Sequence, residues 1–305
     1  MAHSSNTEAN HAGSSGQTVG IIAGNGRLPY EIIDALRLVG RPYFVVGIAG
    51  EVDAEVEGHP HAIIEWGHIG RLFRLLKDHG VADVTFAGGI LRRPEIKWSK
   101  LDFGAVLTVP RILAALLGGD NTILTGVVGE FERRGFAVKG VAELAPQLLV
   151  QVGINGAGRT SKADRALADQ GFAITRALGP FDIGQGCVLI GRRAVAVEGL
   201  EGTDAMLDRV ARLRAAGRLP LRGGGVLVKC PKPGQDERVD LPAIGPRTIS
   251  NAHAAGLTVV ALEAQRTLIV DRDKTLHDAK IRGISIIGVP PVSPQKANAV
   301  EGEQT

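Results

Sequence analysis

The chain has 305 residues, of which 44% are hydrophobic, 22% charged and 4% aromatic, enough apolar material for a sizeable core and, at this length, for two domains. Its 35 basic side chains barely outnumber its 32 acidic ones, and a formal charge of +3 is not the basic stripe that a nucleic-acid partner requires. With so few aromatic rings there is also little to stack single-stranded bases on, so nucleic acid is excluded as the expected partner.

Two cysteines, Cys187 and Cys230, make neither a CxxC pattern nor a disulfide framework, which fits a reducing compartment and argues against a structural zinc site. No run approaches the roughly 20 apolar residues of a bilayer span. The nearest, residues 105–118, contains Pro110 and Arg111. Residues 1–17 are polar and have no apolar h-region, so a disordered tail is expected there and not a secretory signal; residues 291–305 are expected to be a second such tail.

In chain order, Thr18–Ala23 is a β-branched apolar run, Gly24-Asn25-Gly26 a turn, and Tyr30–Leu38 has helical spacing. Strand, glycine turn and helix resemble a dinucleotide fingerprint that lacks its third glycine. The plain reading is a tight βα turn, and the helix N-terminus beside it offers free N–H groups for a phosphate or sugar. Strands are expected at 42–48, 63–66 and 81–87, and an amphipathic helix at 69–79. Gly88, Gly89 and Arg92 then fall at the carboxyl edge of a parallel sheet, where ligands of α/β folds gather. Helices follow at 110–117 and 122–134, with Asp120 as the N-cap of the second, and a strand at 135–139 ends a first domain of residues 18–145. The glycine-rich stretch 146–158 reads as a linker to a second domain, 159–290.

That second domain begins with a helix at 161–178, a strand at 187–190, a hairpin turn at Gly191-Arg192-Arg193 and a strand at 194–198. A helix at 205–215 follows, which Thr203 or Asp204 would cap, and then the strand 225–229. From Lys229 to Pro246 four prolines, two glycines, three cations and three acids interrupt the apolar pattern. Such a segment is a loop held in a defined path, and mixed cations and carboxylates suit a phosphate ester with a divalent cation. A solvated charged loop is the plain reading, and Asp236 and Glu237 are expected to be solvated, with completion of a metal shell by either as the alternative. A helix at 246–255, strands at 257–262 and 268–270, a helix near Lys274 and a strand at 284–289 complete the α/β pattern.

Five stretches together carry a resemblance: Ile22–Pro29, Phe86–Gly89, Phe181–Gly186, Glu198–Met206 and Lys232–Gly245. In this order they resemble the signatures of the LpxI-type UDP-2,3-diacylglucosamine pyrophosphatases of lipid A biosynthesis, over almost the whole chain between its tails. The resemblance implies Mg²⁺-dependent hydrolysis of the pyrophosphate in UDP-2,3-diacylglucosamine, giving UMP and 2,3-diacylglucosamine 1-phosphate, by water attack on the sugar-side phosphorus. It implies an N-terminal Rossmann-like domain and a C-terminal α/β domain with the ligand cleft between them. The family's essential aspartate falls on Asp240, as metal ligand or orienter of water. Lys232 and Asp204 are its expected catalytic companions. Substrate contacts are expected from Gly24, Asn25, Gly26, Gly88, Gly89, Asp120, Gln185, Thr203, Lys229 and Gln235. A homodimer in the cytoplasm, at most peripheral to the inner membrane, completes the expectation. The chain departs from the family pattern at Gly89, commonly a polar side chain, and at Asn121, often an acid.

Two other readings compete. A nicotinamide-dependent oxidoreductase would need an acidic ribose ligand at the end of the second strand, and the first acid there is Glu51, beyond Gly47-Ile48-Ala49. A non-catalytic nucleotide-sugar or lipid-binding regulator would keep the cleft without turnover, and the presence of Asp240 in its loop argues against it.

Overall fold

The computed structural model describes residues 16–90, 120–156, 158–220 and 224–291, and the side chains of residues 120–123 lie outside that description. The expectations for Arg92 and for a helix at 110–117 also fall outside the described residues.

β1 (Thr18–Ala23), β2 (Tyr43–Ile48), β3 (His61–Ile64), β4 (Val81–Ala87) and β5 (Ala137–Val138) form one sheet in the order β3-β2-β1-β4-β5. Every pairing in it is parallel. The central strands read as apolar runs because helices cover both faces. On one face α1 (Leu28–Leu38) buries Ile32, Ile33 and Leu36 against Val19 and Ile21. On the other, α2 (Ile69–Asp78) and α3 (Asp120–Arg133) bring Phe73, Leu76 and Phe131 onto Ile22, Phe44 and Val84. The third strand lies two residues earlier than its apolar signal at 63–66, since it pairs as His61–Ile64 alongside Val45–Ile48.

The short α4 (Val141–Leu144) leads to the stretch expected as a linker. There Leu148 and Leu149 are buried in the core of the first sheet, Val150 in that of the second, and β6 (Gly153–Asn155) pairs antiparallel with the last strand. Glycine-rich composition thus conceals a segment threaded through both cores.

The second sheet runs β6-β13-β11-β9-β7-β8. It is built from β6, β7 (Gly186–Ile190), β8 (Arg193–Val197), β9 (Val226–Lys229), β11 (Val259–Glu263) and β13 (Ser285–Val289), while β10 (Ala243–Ile244) and β12 (Leu268–Ile269) form a separate parallel pair. β9, β11 and β13 are parallel; the pairings of β6, β7 and β8 are antiparallel. The hairpin between β7 and β8 turns on Gly191 and Arg192, both at positive φ (53° and 62°), which matches the right-handed twist of the strands. α5 (Lys162–Leu178) covers one face, and α6 (Gly202–Ala215), α7 (Pro246–Ala254) and α8 (Arg272–Ile281) lie on the other side.

Leu241, Ala243 and Leu268 of the second unit pack into the apolar cluster of α1 and β1. Burying one such leucine is worth ~1.5–3 kcal/mol. The Arg238–Glu132 ion pair between the units, at 40% and 46% side-chain exposure, adds at most ~1 kcal/mol. Apolar contact therefore dominates the join.

Candidate active site

Strand order in the first sheet reverses between β1 and β4, and the carboxyl ends of those strands are where a parallel sheet receives its ligand. Two glycine turns meet there, with Asn25 and Gly89 forming a β-bridge. A Cβ on Gly24 would sit 2.4 Å from the Gly89 carbonyl oxygen, and one on Gly88, whose φ is +91°, would sit 2.7 Å from that of Asn25. Only glycine allows backbones this close. Above the turns opens a cavity of about 420 Å³, faced from the second unit by Glu237–Leu241, Ala243, Leu268 and Val270.

Most of the N–H groups at this turn have acceptors. Gly24 donates to the Ala87 carbonyl (2.8 Å), Asn25 to that of Gly89 (2.8 Å) and Gly26 to an Asp53 carboxylate oxygen (2.9 Å). Pro29 has no N–H, and that of Tyr30 bonds to the Arg27 carbonyl. Asp53 also accepts from Asn25 Nδ2 at 3.1 Å, and the Tyr30 hydroxyl donates to the Asp53 carbonyl at 3.0 Å. Burial, and then the charge of Asp53, push the Tyr30 phenol above its ordinary range.

Across the cavity the loop after β9 is tied by side-chain amides. Gln185 Nε2 donates to Asp240 Oδ2 (3.0 Å) and to Gln235 Oε1 (3.1 Å). Gln235, only 8% exposed, accepts from the Lys232 N–H at 3.0 Å and donates to the Asp240 carbonyl. Lys232 Nζ pairs with Asp182. The acids expected to be solvated are ion-paired. Arg238 holds Asp236 at 2.7 Å and keeps its carboxyl below the usual range, and Glu237 pairs with Arg266.

Thr203 and Asp204 do not cap α6, whose N-cap is Glu201. Thr203 donates to Glu198 Oε1 (2.9 Å) and accepts from Lys229 Nζ (2.7 Å), which also donates to the Ala243 carbonyl (3.3 Å). Lys229, expected as a strand end, is 5% exposed and joins the cavity wall through Ala243. Asp204 is turned to α7, accepting from Asn251 (3.0 Å) and pairing with Arg247 (2.7 Å).

The structure thus brings Gly24, Asn25, Gly26, Gly88, Gly89 and Asp240 to one cavity, with Gln185, Gln235 and Lys232 behind Asp240. Lys229 and Thr203 form an adjoining network, and Asp204 stands apart. Asp120 opens α3, with its side chain outside the described residues. Sequence reasoning missed Asp53, which shares no local motif with the turn it holds. Glu198 stood inside a quoted signature, and its neighbour Thr203 was the available signal.

Among the described residues no group of three or more His, Cys, Asp or Glu side chains is arranged to hold a metal ion. Magnesium commonly takes one or two carboxylates and completes its shell with substrate phosphates and water. Of the two carboxylates among the described residues that line the cavity, Glu237 is paired with Arg266, and Asp240 fits the protein's share of such a site.

Residues 18–148 match the family model of the LpxI N-terminal domain and residues 151–287 that of the LpxI C-terminal domain. The two matches meet inside the stretch that reads as a linker. Among curated proteins, UDP-2,3-diacylglucosamine pyrophosphatase LpxI of Caulobacter vibrioides (strain ATCC 19089 / CIP 103742 / CB 15) is 37% identical over 275 residues, 90% of this chain and 98% of that one. Among solved structures, the crystal structure of isoflavone reductase aligns over 95% of this chain and 83% of that one, at 13% identity and a TM-score of 0.26, too slight a likeness to carry an argument. With both domain models matched in order and a relative this similar along nearly its full length, the chain belongs to the LpxI family.

Proposed function

We propose that this protein hydrolyses the pyrophosphate bond of UDP-2,3-diacylglucosamine, releasing UMP and 2,3-diacylglucosamine 1-phosphate. The observation that carries the reading is Asp240, held by Gln185 on the wall of a cavity between two units that each match the family.

Gln185 and Gln235 fix the Asp240 carboxylate and the backbone beneath it, so that it orients an attacking water or holds magnesium without first reorganising. Magnesium, when bound with Asp240 as its protein ligand, would neutralise charge on the phosphates. Water adds to the sugar-side phosphorus, the bond to the bridging oxygen breaks, and UMP leaves with that oxygen. Lys232 gives a cation beside the loop once a phosphate competes with Asp182 for it. The apolar lining, with Leu241, Leu268 and Val270 on one wall and Ile22 and Phe86 on the other, excludes water around the reacting groups.

The direct test is UMP release from UDP-2,3-diacylglucosamine with Mg²⁺ and with EDTA. Metal-dependent release supports the hydrolase; saturable binding of the lipid without release supports a non-catalytic binding protein instead. The reading extends to a homodimer in the cytoplasm and to peripheral contact with the inner membrane, which sedimentation and liposome flotation test. No helix among the described residues is long and apolar enough to cross a membrane.

A further inference from the structure

Asp53 stands at the start of a 3-10 turn, Ala54–Gly58, beyond the end of β2, and it does not line the cavity. Its carboxylate nevertheless decides what the cavity's glycine turn offers. One oxygen takes the Gly26 N–H and the other takes an N–H of the Asn25 amide, at 2.9 Å and 3.1 Å. A carboxylate accepts and cannot donate, so it selects the orientation of that amide, with nitrogen toward Asp53. Asn25 keeps its Oδ1 acceptor and one N–H donor, and it lines the cavity.

The same geometry disfavours phosphate at this wall. The N–H groups of Gly24, Asn25 and Gly26 are engaged, and the guanidinium of Arg27, which follows them, is held by Glu55 at 2.7 Å. A phosphate bound beside this turn would also meet repulsion from the Asp53 carboxylate. What remains is a rigid, uncharged donor–acceptor pair in a mainly apolar cavity. It matches the imide edge of a pyrimidine base, which offers an N–H donor beside carbonyl acceptors.

We propose that Asp53 is a positioning residue that presets Asn25 to read the uracil of the substrate, leaving the phosphates to the opposite, Asp240-bearing wall. This rests on the pyrophosphatase reading for the identity of the substrate. Its placement follows from the shared hydrogen bonds of Asp53, Asn25 and Gly26.

The test is calorimetric titration of the full chain with uridine and, separately, with inorganic pyrophosphate, on wild type, Asp53→Ala, Asp53→Asn and Asn25→Ala. Uridine affinity should fall about 10- to 100-fold in Asp53→Ala and Asn25→Ala, the scale of a hydrogen bond to a charged or buried group. Asp53→Asn, which keeps one acceptor, should lie between these variants and wild type. Pyrophosphate affinity should stay within about twofold throughout. In turnover, KM for the nucleotide-sugar should rise in Asp53→Ala more than kcat falls, the mark of lost binding and not of lost chemistry. Should Asp53→Ala not fold, Asn25→Ala still removes the reading amide alone. The proposal is overturned if wild type does not bind uridine at millimolar concentration, if uridine binds all variants equally, or if the substitutions change pyrophosphate binding instead. A wild type that binds uridine but releases no UMP would sink the hydrolase reading and leave this one standing.

Discussion

The two walls of the cavity hold their loops still with different materials. On the first sheet the turns after β1 and β4 lock backbone to backbone, through the Asn25–Gly89 bridge and glycines that admit no side chain. Across from them, the loop from Lys229 to Pro246 is fixed by side chains, chiefly Gln185 and Gln235 around Asp240. A backbone lock tolerates no added atom yet leaves its surface chemically neutral. A side-chain lock lets the loop present a charged group in a set orientation, which is what a reacting site needs. Under the proposed function, shape and reactivity are thus assigned to opposite walls.

The comparison breaks first at Asp240. Asp240→Ala should lower UMP release by about 10²–10³-fold or more at unchanged Mg²⁺, with the far-UV spectrum and Tm preserved. Activity within tenfold of wild type would remove the reacting group from this wall. Gly24→Ala tests the other wall: its Cβ meets the Gly89 carbonyl at 2.4 Å, so a loss of ~1–3 kcal/mol is expected in denaturant unfolding. An unchanged midpoint would mean that the turns are not locked in the way described.

A third test concerns the join that keeps the walls facing each other. Glu31 of α1 accepts the Asp271 N–H at 2.7 Å, while its other oxygen is buried with no hydrogen-bond partner among the described residues. Burial pushes its carboxyl from 4.5 up to about 7, against the pull of that N–H. Asp271 and Asp34 raise it further, and Arg27 opposes them. Between those two values the folded chain holds a proton that the unfolded chain releases. The contribution is therefore full below about pH 4.5 and is lost as pH rises through about 7. Glu31→Gln cannot ionise, so its Tm should gain a few degrees on wild type between about pH 5 and about pH 8. A constant difference across that range would show that Glu31 titrates as an exposed acid.

The smallest effect is expected at the rim. Arg238→Ala loses the exposed pair with Glu132 and the pair with Asp236, and should cost ~1 kcal/mol or less, shrinking further in high salt. A much larger loss that shrinks in high salt would mean that charge and not apolar packing holds the two units together.

Much of this architecture was legible because it is local. Thr18–Ala23, its glycine turn and the helix after it are one continuous strand–turn–helix signal, and the proline-rich loop with Asp240 is visible as composition and as a signature. Other features depend on partners far away in the chain. β6 has only three residues, Gly153–Asn155, and becomes a strand because Ile287 and its neighbours lie opposite, so in sequence it reads as part of a glycine-rich linker. Asp236 and Glu237 look solvated until Arg238 and Arg266 are placed beside them.

Asp53 marks the division most sharply. It lies 27 residues from Gly26, with a helix and a strand between, and no spacing rule connects them. By itself the sequence determined the two α/β units, the glycine turns and the charged loop, because periodicity, backbone freedom and loop composition are properties of neighbouring residues; Asp240 within that loop was singled out by the resemblance. Tertiary structure alone decided that β2 lies beside β1 and delivers Asp53 to the turn. The hydrogen bonds that fill the turn's N–H groups exist only once parallel pairing has brought those segments together.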